Sequence, residues 1–306
     1  MPSLIERALS KLGVTNLIRK IEPIRQFLSL PSGCYYGNDF EGNIVGAEAL
    51  PLQITSSETQ YLTPSCLNKH LFPHVELPGP PCKADIFAIV LPNAFVWGRL
   101  GGVITKEGIF IDQVSHAFGL KGWRHPVWKK LRLSEQKVLH GVSLSLAGPA
   151  SSNYFHWLAQ LFPKLSLILE HSNISINEID YVIISGPVRA FHIESLEAVG
   201  INESKIVILE DESYLQCTKL LCTSFLTAGS APWAIDWLQK QFTSENSSIS
   251  KRIYISRGDA STRRLLNETE LVKLISTYEF ESIQLEGLTV EEQANLFASA
   301  EAVLSP

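Results

Sequence analysis

After residue 150 the chain alternates short, unbroken apolar runs with helical segments, and this alternation confines it to layered α/β folds. "DYVIIS" (180–185), "KIVILE" (205–210) and "KLLCTS" (219–224) are too short for core helices and lack the polar alternation of half-exposed strands. They read as strands buried on both faces of a parallel sheet. Between the first two, "VRAFHIESLEAVG" follows a helical pattern and ends in Gly200 at a C-cap position. The prediction is a βαβ unit.

A second series follows the Ser-rich stretch "TSENSSIS" (243–250), which reads as a hinge or linker. "KRIYISR" is a strand, and Asn267 with Glu270 three residues on is a capping box for a helix whose buried stripe is Leu271, Leu274, Ile275 and Tyr278. "ESIQLE" (281–286) is the next strand; Thr289 and Glu292 cap the helix "VEEQANLFASA", and "EAVLSP" is a third strand. Right-handed crossovers then bring Arg257, Glu286 and Pro306 to one crevice. Upstream, "DIFAIVL", "AFVWGRL" and "GGVITKEGIFIDQ", the last folded at Lys106-Glu107-Gly108, predict a small antiparallel patch over residues 85–112. Residues 31–82, rich in Pro, Gly and Ser, predict irregular structure. The expected domains are 1–245 and 250–306. A parallel sheet as small as the second needs both faces covered, so that domain is expected to be incomplete and the chain a shortened form of something longer.

Composition excludes several functions. The 306 residues are 45% hydrophobic and 19% charged, enough for a sizeable core, and the formal net charge of -5 argues against a nucleic-acid partner. No run reaches the ~18 apolar residues of a membrane span, and the amino terminus lacks a signal-peptide apolar region, so the cytoplasm is the expected compartment. Residues 3–28 pair Leu4, Ile5, Ala8, Leu9 and Leu12 with basic neighbours. They fit an amphipathic helix on the inner face of an anionic membrane and, better, a helix docked on its own domain, because Gly13 and Pro23 break the pattern. Cys34, Cys66, Cys82, Cys217 and Cys222 are odd in number and without CxxC spacing, which suggests reduced thiols. There is no Walker sequence, no GxGxxG after a strand, no G-x-S-x-G elbow and no clear metal cluster.

Two patterns remain. "ISRGDASTRRLLNETE" (255–270) places Arg257, Arg263 and Arg264 between a strand and a helix amino terminus. They fit solvated charges balanced by Asp259, Glu268 and Glu270. They fit a bound diphosphate better, because cations there oppose the helix dipole unless an anion shares the site. In "SSNYFHWLAQLFPKLSLILE" (151–170), Asn153, His156, Gln160 and Lys164 share an arc of about 80° at roughly 100° per residue. Pro163 should kink this helix or delay its start. Alone, the stripe fits an ordinary boundary histidine.

Together, "NYFHWLAQLFPKL", "RIYISRGDASTRRLLNE" and "EGLTVEEQANLFASAEAVLSP" resemble glycosyltransferase family 61 over about the second half of the chain. Asn153, His156 and Pro163 match the family's "NYxHW…P" helix, Arg257, Arg263 and Arg264 its arginine loop, and Glu286, Glu292 and Gln293 the acidic strand end and the helix after it. The resemblance implies a GT-B-like architecture of two Rossmann-like domains and metal-independent, inverting transfer. The donor would be a nucleotide-sugar, expected to be a UDP-sugar, and the acceptor a glycan hydroxyl, as in the bacterial members assigned to capsule and surface polysaccharide synthesis; no other cofactor is expected. His156 and Asn153 become the catalytic candidates, His156 as general base, since an imidazole is a side chain suited to proton transfer near neutrality. Arg257, Arg263, Arg264, Glu286 and Glu292 become donor-binding candidates. The sequence departs from the family at Gln160, where relatives commonly carry Asp or Glu, and in lacking the His-Gly-Ala-Gly loop that follows "LSP". The rival reading is a non-catalytic remnant that binds a glycan or a partner protein.

Overall fold

The computed structural model describes residues 31–36, 39–52, 86–117, 120, 122–130, 133, 136–226, 232–244, 251–258 and 264–306. The basic segment 3–28, most of the stretch up to residue 82, and Arg263 lie outside them. The chain forms two compact units, Met1–Ile235 and Asp236–Pro306.

The first unit is built on one mixed sheet. Its strands are β1 (Gly33–Tyr35), β2 (Glu48–Leu50), β3 (Ala88–Trp97), β4 (Gly102–Ile104), β5 (Ile109–Ile111), β6 (Lys137–Ser145), β7 (Tyr181–Ser185), β8 (Ile206–Leu209) and β9 (Tyr214–Thr223). They lie in the order β1-β5-β4-β3-β9-β6-β7-β8, with β2 also on β3. The helices are α1 (Phe40–Asn43), α2 (Tyr154–His156), α3 (Lys164–Leu169) and α4 (Ala190–Ala198).

The predicted βαβ unit is present: β6, β7 and β8 are parallel, and α4 connects the last two. Gly200 takes φ 83, and the amides of Gly200 and Ile201 return to Glu197 and Leu196, closing α4 as only a left-handed residue can. β7 is buried from Val182 to Ser185, as its unbroken apolar run requires. β8 differs from expectation. It is the last strand of the sheet, and Ile208 is 47% exposed because nothing among the described residues covers that edge.

The antiparallel patch is also present, with the β4–β5 hairpin turning at Lys106-Glu107-Gly108 where Gly108 takes φ 82. Two features were not anticipated. The segments read as separate strands before and after Pro92 form one strand, β3. Proline removes a ladder donor, but Pro92 falls between residues 88–90, paired with β2, and 95–97, paired with β4, and Asn93 takes φ 51 beside it. The patch is also no separate body. β9 pairs antiparallel with β3 and parallel with β6, fusing the two halves into one sheet. β6 stays paired with β9 before and after an irregularity between Leu139 and Val142, and its pairing with β7 begins just beyond it at Ser143. There Gly141 takes φ 110, a Cβ would collide with the Asp180 carboxylate, and that carboxylate accepts from the Val142 amide at 2.7 Å.

The second unit includes the end of α5 (Pro232–Phe242), then β10 (Lys251–Ile255), α6 (Glu268–Ser276), β11 (Phe280–Ile283), α7 (Val290–Ala298) and β12 (Ala300–Leu304). The three strands form a parallel sheet in the order β11-β10-β12, as the β-α-β-α-β reading predicts. The Thr289–Glu292 capping box forms on α7. Asn267 sits at the N-cap of α6 but its side chain makes no cap, because φ -104, ψ 32 is not the extended conformation that aims such a side chain back. Of the predicted α6 stripe, Ile275 is buried whereas Leu274 and Tyr278 are exposed: a three-stranded sheet is narrower than the stripe.

An aromatic cluster closes the hairpin side of the first unit. His125 packs its ring 4.8 Å from Phe110 and 6.0 Å from Trp97, and its Nδ1 accepts from the Val127 amide at 3.3 Å. Burial pushes His125 down to about 3. Below its ordinary pKa of about 6.5 the unfolded chain takes up a proton that the native state refuses, so stability falls with pH, by about 1.4 kcal/mol per unit from this group. The expected outcome for His125→Gln is a less stable protein at pH 7 whose urea midpoint declines less between pH 6.5 and 4 than that of the parent.

Candidate functional site

The helix that follows β6 begins with a cap. The chain leaves β6, turns at Ala150 with φ 55, and places Asn153 in extended conformation, where its Oδ1 accepts from the His156 amide at 3.2 Å. α2 then passes into a π-turn over Trp157–Leu161, in which the Phe162 amide donates to the Trp157 carbonyl at 2.8 Å. Pro163 is the cause. It lacks an amide and its ring would clash with the carbonyl of Ala159 four residues earlier in a regular helix; the wider turn relieves the clash, and α3 restarts directly after it. π-turns of this kind are frequent at functional sites.

The turn is pinned from the side. Trp157 is buried, its Nε1 donates to Ser195 Oγ at 2.8 Å, and its ring packs 4.5 Å from that of His192. His192 Nδ1 accepts from the Arg189 amide at 2.9 Å, so its Nε2 carries the proton and donates toward the Ser151 carbonyl at 3.1 Å. Ser151 Oγ in turn donates to Ser185 O at 3.3 Å, at the end of β7. Trp157, His192 and Ser195, absent from the sequence candidates, thus fix the helix to α4 and β7. Their signal in the sequence was only that of ordinary helix residues.

The polar stripe does not survive as a solvent face. One extra residue in the turn slips the helical phase by about 100°, and Gln160 and Lys164 are buried. His156 stays half-buried, its ring 5.5 Å from that of Phe155, and Gln160 Oε1 lies 2.6 Å from His156 Nδ1. Lys164 faces Cys222. Burial pushes the lysine down to about 8 and the thiol up to about 12, the lysine's charge partly offsetting the latter.

In the second unit the arginine loop leaves the carboxyl end of β10, the central strand. The chain goes from β10 to β11 on one side and from β11 to β12 on the other. With right-handed crossovers this puts α6 and α7 on opposite faces, and the loop after β10 emerges at the switch point where open α/β sheets hold ligands. Glu268, in the first turn of α6, ties the loop's two ends together. Its Oε1 accepts from Tyr254 Oη at 2.8 Å and from the Arg257 amide at 3.0 Å. Those bonds, with the charge of Arg264, hold the Glu268 carboxyl below its usual range. The sequence reading had treated Glu268 as a balancing charge only.

Arg257 is half-buried and Arg264 exposed; Arg263 is outside the described residues. Glu286 is exposed in the turn beyond β11, on the same sheet edge. Glu292 is engaged in the α7 cap, accepting from the Thr289 amide at 2.8 Å, which lowers its pKa, and Gln293 Nε2 donates to Leu288 O at 2.9 Å. Among the described residues, no three His, Cys, Asp or Glu side chains gather in a way that could hold a metal ion.

The family model described as Glycosyltransferase 61 matches residues 154–306, half of the chain, taking in both the π-turn helix and the arginine loop. No curated protein matches the sequence.

The buried Lys164 ammonium opposes folding. With its native pKa near 8, the unfolded chain binds protons at that site from about pH 8 to 10.4 while the native state does not, so stability rises with pH through this window. Lys164→Met is expected to raise stability at pH 7 by about 3 kcal/mol. Its advantage over the parent in urea denaturation should shrink between pH 8 and 10.

Proposed function

Because the chain belongs to glycosyltransferase family 61, we propose that it transfers a sugar from a nucleotide-sugar, of the UDP class, to a hydroxyl of a glycan acceptor, with inversion and without a metal. The architecture in this reading is GT-B-like: residues 250–306 belong to the donor domain and residues 1–245 to the acceptor domain. A place in surface polysaccharide synthesis rests on the resemblance of the sequence segments alone. Among the described residues no helix is long and apolar enough to cross a membrane; membrane contact would rest on residues 3–28.

The reaction is a direct displacement. The acceptor oxygen forms its bond to the anomeric carbon as the bond from that carbon to the diphosphate oxygen breaks, and the acceptor's proton passes to His156. The nucleoside diphosphate leaves with increased negative charge. Guanidiniums stabilise such a group with charge and with hydrogen bonds, which is the task of Arg257, Arg263 and Arg264. Glu286, on the same sheet edge, accepts hydrogen bonds from donor hydroxyls. Asn153 serves by holding the start of α2, and Glu292 by holding the start of α7.

The observation that carries this reading is the position of the arginine loop, its base tied by Glu268, at the carboxyl end of the central strand of a parallel sheet. Calorimetric titration with UDP is expected to show micromolar binding. Arg257→Ala and Arg264→Ala should each weaken it roughly 10- to 100-fold, the loss of one charge-assisted contact. His156→Ala should leave UDP affinity intact and lower kcat by about 10²- to 10⁴-fold. No binding of UDP or any other nucleoside diphosphate would overturn the donor assignment.

A further inference from the structure

A histidine can act as a base through one ring nitrogen only, and its neighbours decide which. On the π-turn helix one contact bears directly on this choice: His156 Nδ1 lies 2.6 Å from Gln160 Oε1. A carboxamide oxygen accepts and cannot donate, so Nδ1 must carry the proton and Nε2 the lone pair. Gln160 is suited to impose this. It is 5% exposed, it lies within the turn that Pro163 widens, and Trp157 in the same turn is bonded to Ser195.

We propose that Gln160 is a positioning residue that holds His156 in the Nδ1–H tautomer and keeps Nε2 as the nitrogen that receives the acceptor's proton. The inference rests on the reading of His156 as general base, but its structural half stands apart from it. In the step itself the acceptor O–H bond breaks, its proton joins Nε2, and the ring becomes an imidazolium with Nδ1–H still donating to Gln160. Gln160 takes no proton and touches no substrate. Being neutral, it orients the ring without adding a charge that would hold the received proton there, which a carboxylate at the same position would do.

The test uses the full chain with its histidines labelled with ¹⁵N, the His156 signals being assigned by their loss in His156→Ala. Spectra are taken above the imidazolium titration, where the two neutral tautomers differ in which nitrogen carries the pyrrole-like shift. The parent is expected to show the Nδ1–H form. Gln160→Leu should lose that preference and lower kcat by up to about tenfold, the scale of one hydrogen bond, with KM unchanged. Gln160→Glu, which keeps the acceptor oxygen, should retain the Nδ1–H form, showing that the effect belongs to the hydrogen bond and not to packing. A parent His156 protonated on Nε2 would overturn the assignment whatever the variants do. An Nδ1–H form lost in Gln160→Leu while His156→Ala leaves turnover intact would keep the positioning contact and sink the general-base reading instead.

Discussion

β9 must satisfy hydrogen bonds along both edges, and it does so with strands of opposite sense, antiparallel β3 and parallel β6. Buried backbone groups tolerate no gap, so this double pairing fixes the register of both halves of the first unit at once. Cys217, Leu220 and Leu221 on β9 are fully buried. With β6 held between β9 and β7, the end of β6, the turn at Ala150 and the cap at Asn153 follow. The candidate catalytic helix is therefore positioned by sheet pairing made elsewhere, which is how a helix of only three residues holds its place.

Within that frame Pro163 does the local shaping. A missing amide and a clashing ring turn a regular helix into a π-turn, and Lys164 beyond it lies in the interior, while Gln160, four residues on from His156, stays against it. The burial of Lys164 has a cost in stability, offset by the apolar packing of α3, whose residues from Lys164 to Ile168 are all buried. The same short stretch thus holds both a buried lysine and the contact between Gln160 and the candidate base.

The second unit solves a different problem. A loop carrying several guanidiniums needs its ends fixed if the charges are to meet a ligand without an entropic penalty on binding. Glu268 does this with one carboxylate oxygen, which reaches Tyr254 on the strand and the Arg257 amide at the loop's start. Arg264 stands close enough to that carboxylate to lower its pKa.

The sequence by itself determined the element order from β6 onward, because buried strands and capped helices are encoded by local apolar runs and by pairs such as Thr289 and Glu292. It also marked His156 and the arginines as a set. It did not determine the union of the two strand patterns through β9, the continuity of β3 through Pro92, or the exposure of β8, Leu274 and Tyr278. Each of these depends on what lies beside a strand or helix, and that is set by pairing between residues distant in the chain. The π-turn stands between the two cases. Pro163 announced a disturbance, but only the packed structure decided that it would be absorbed by a wider turn, with Trp157 in that turn held against Ser195 and His192.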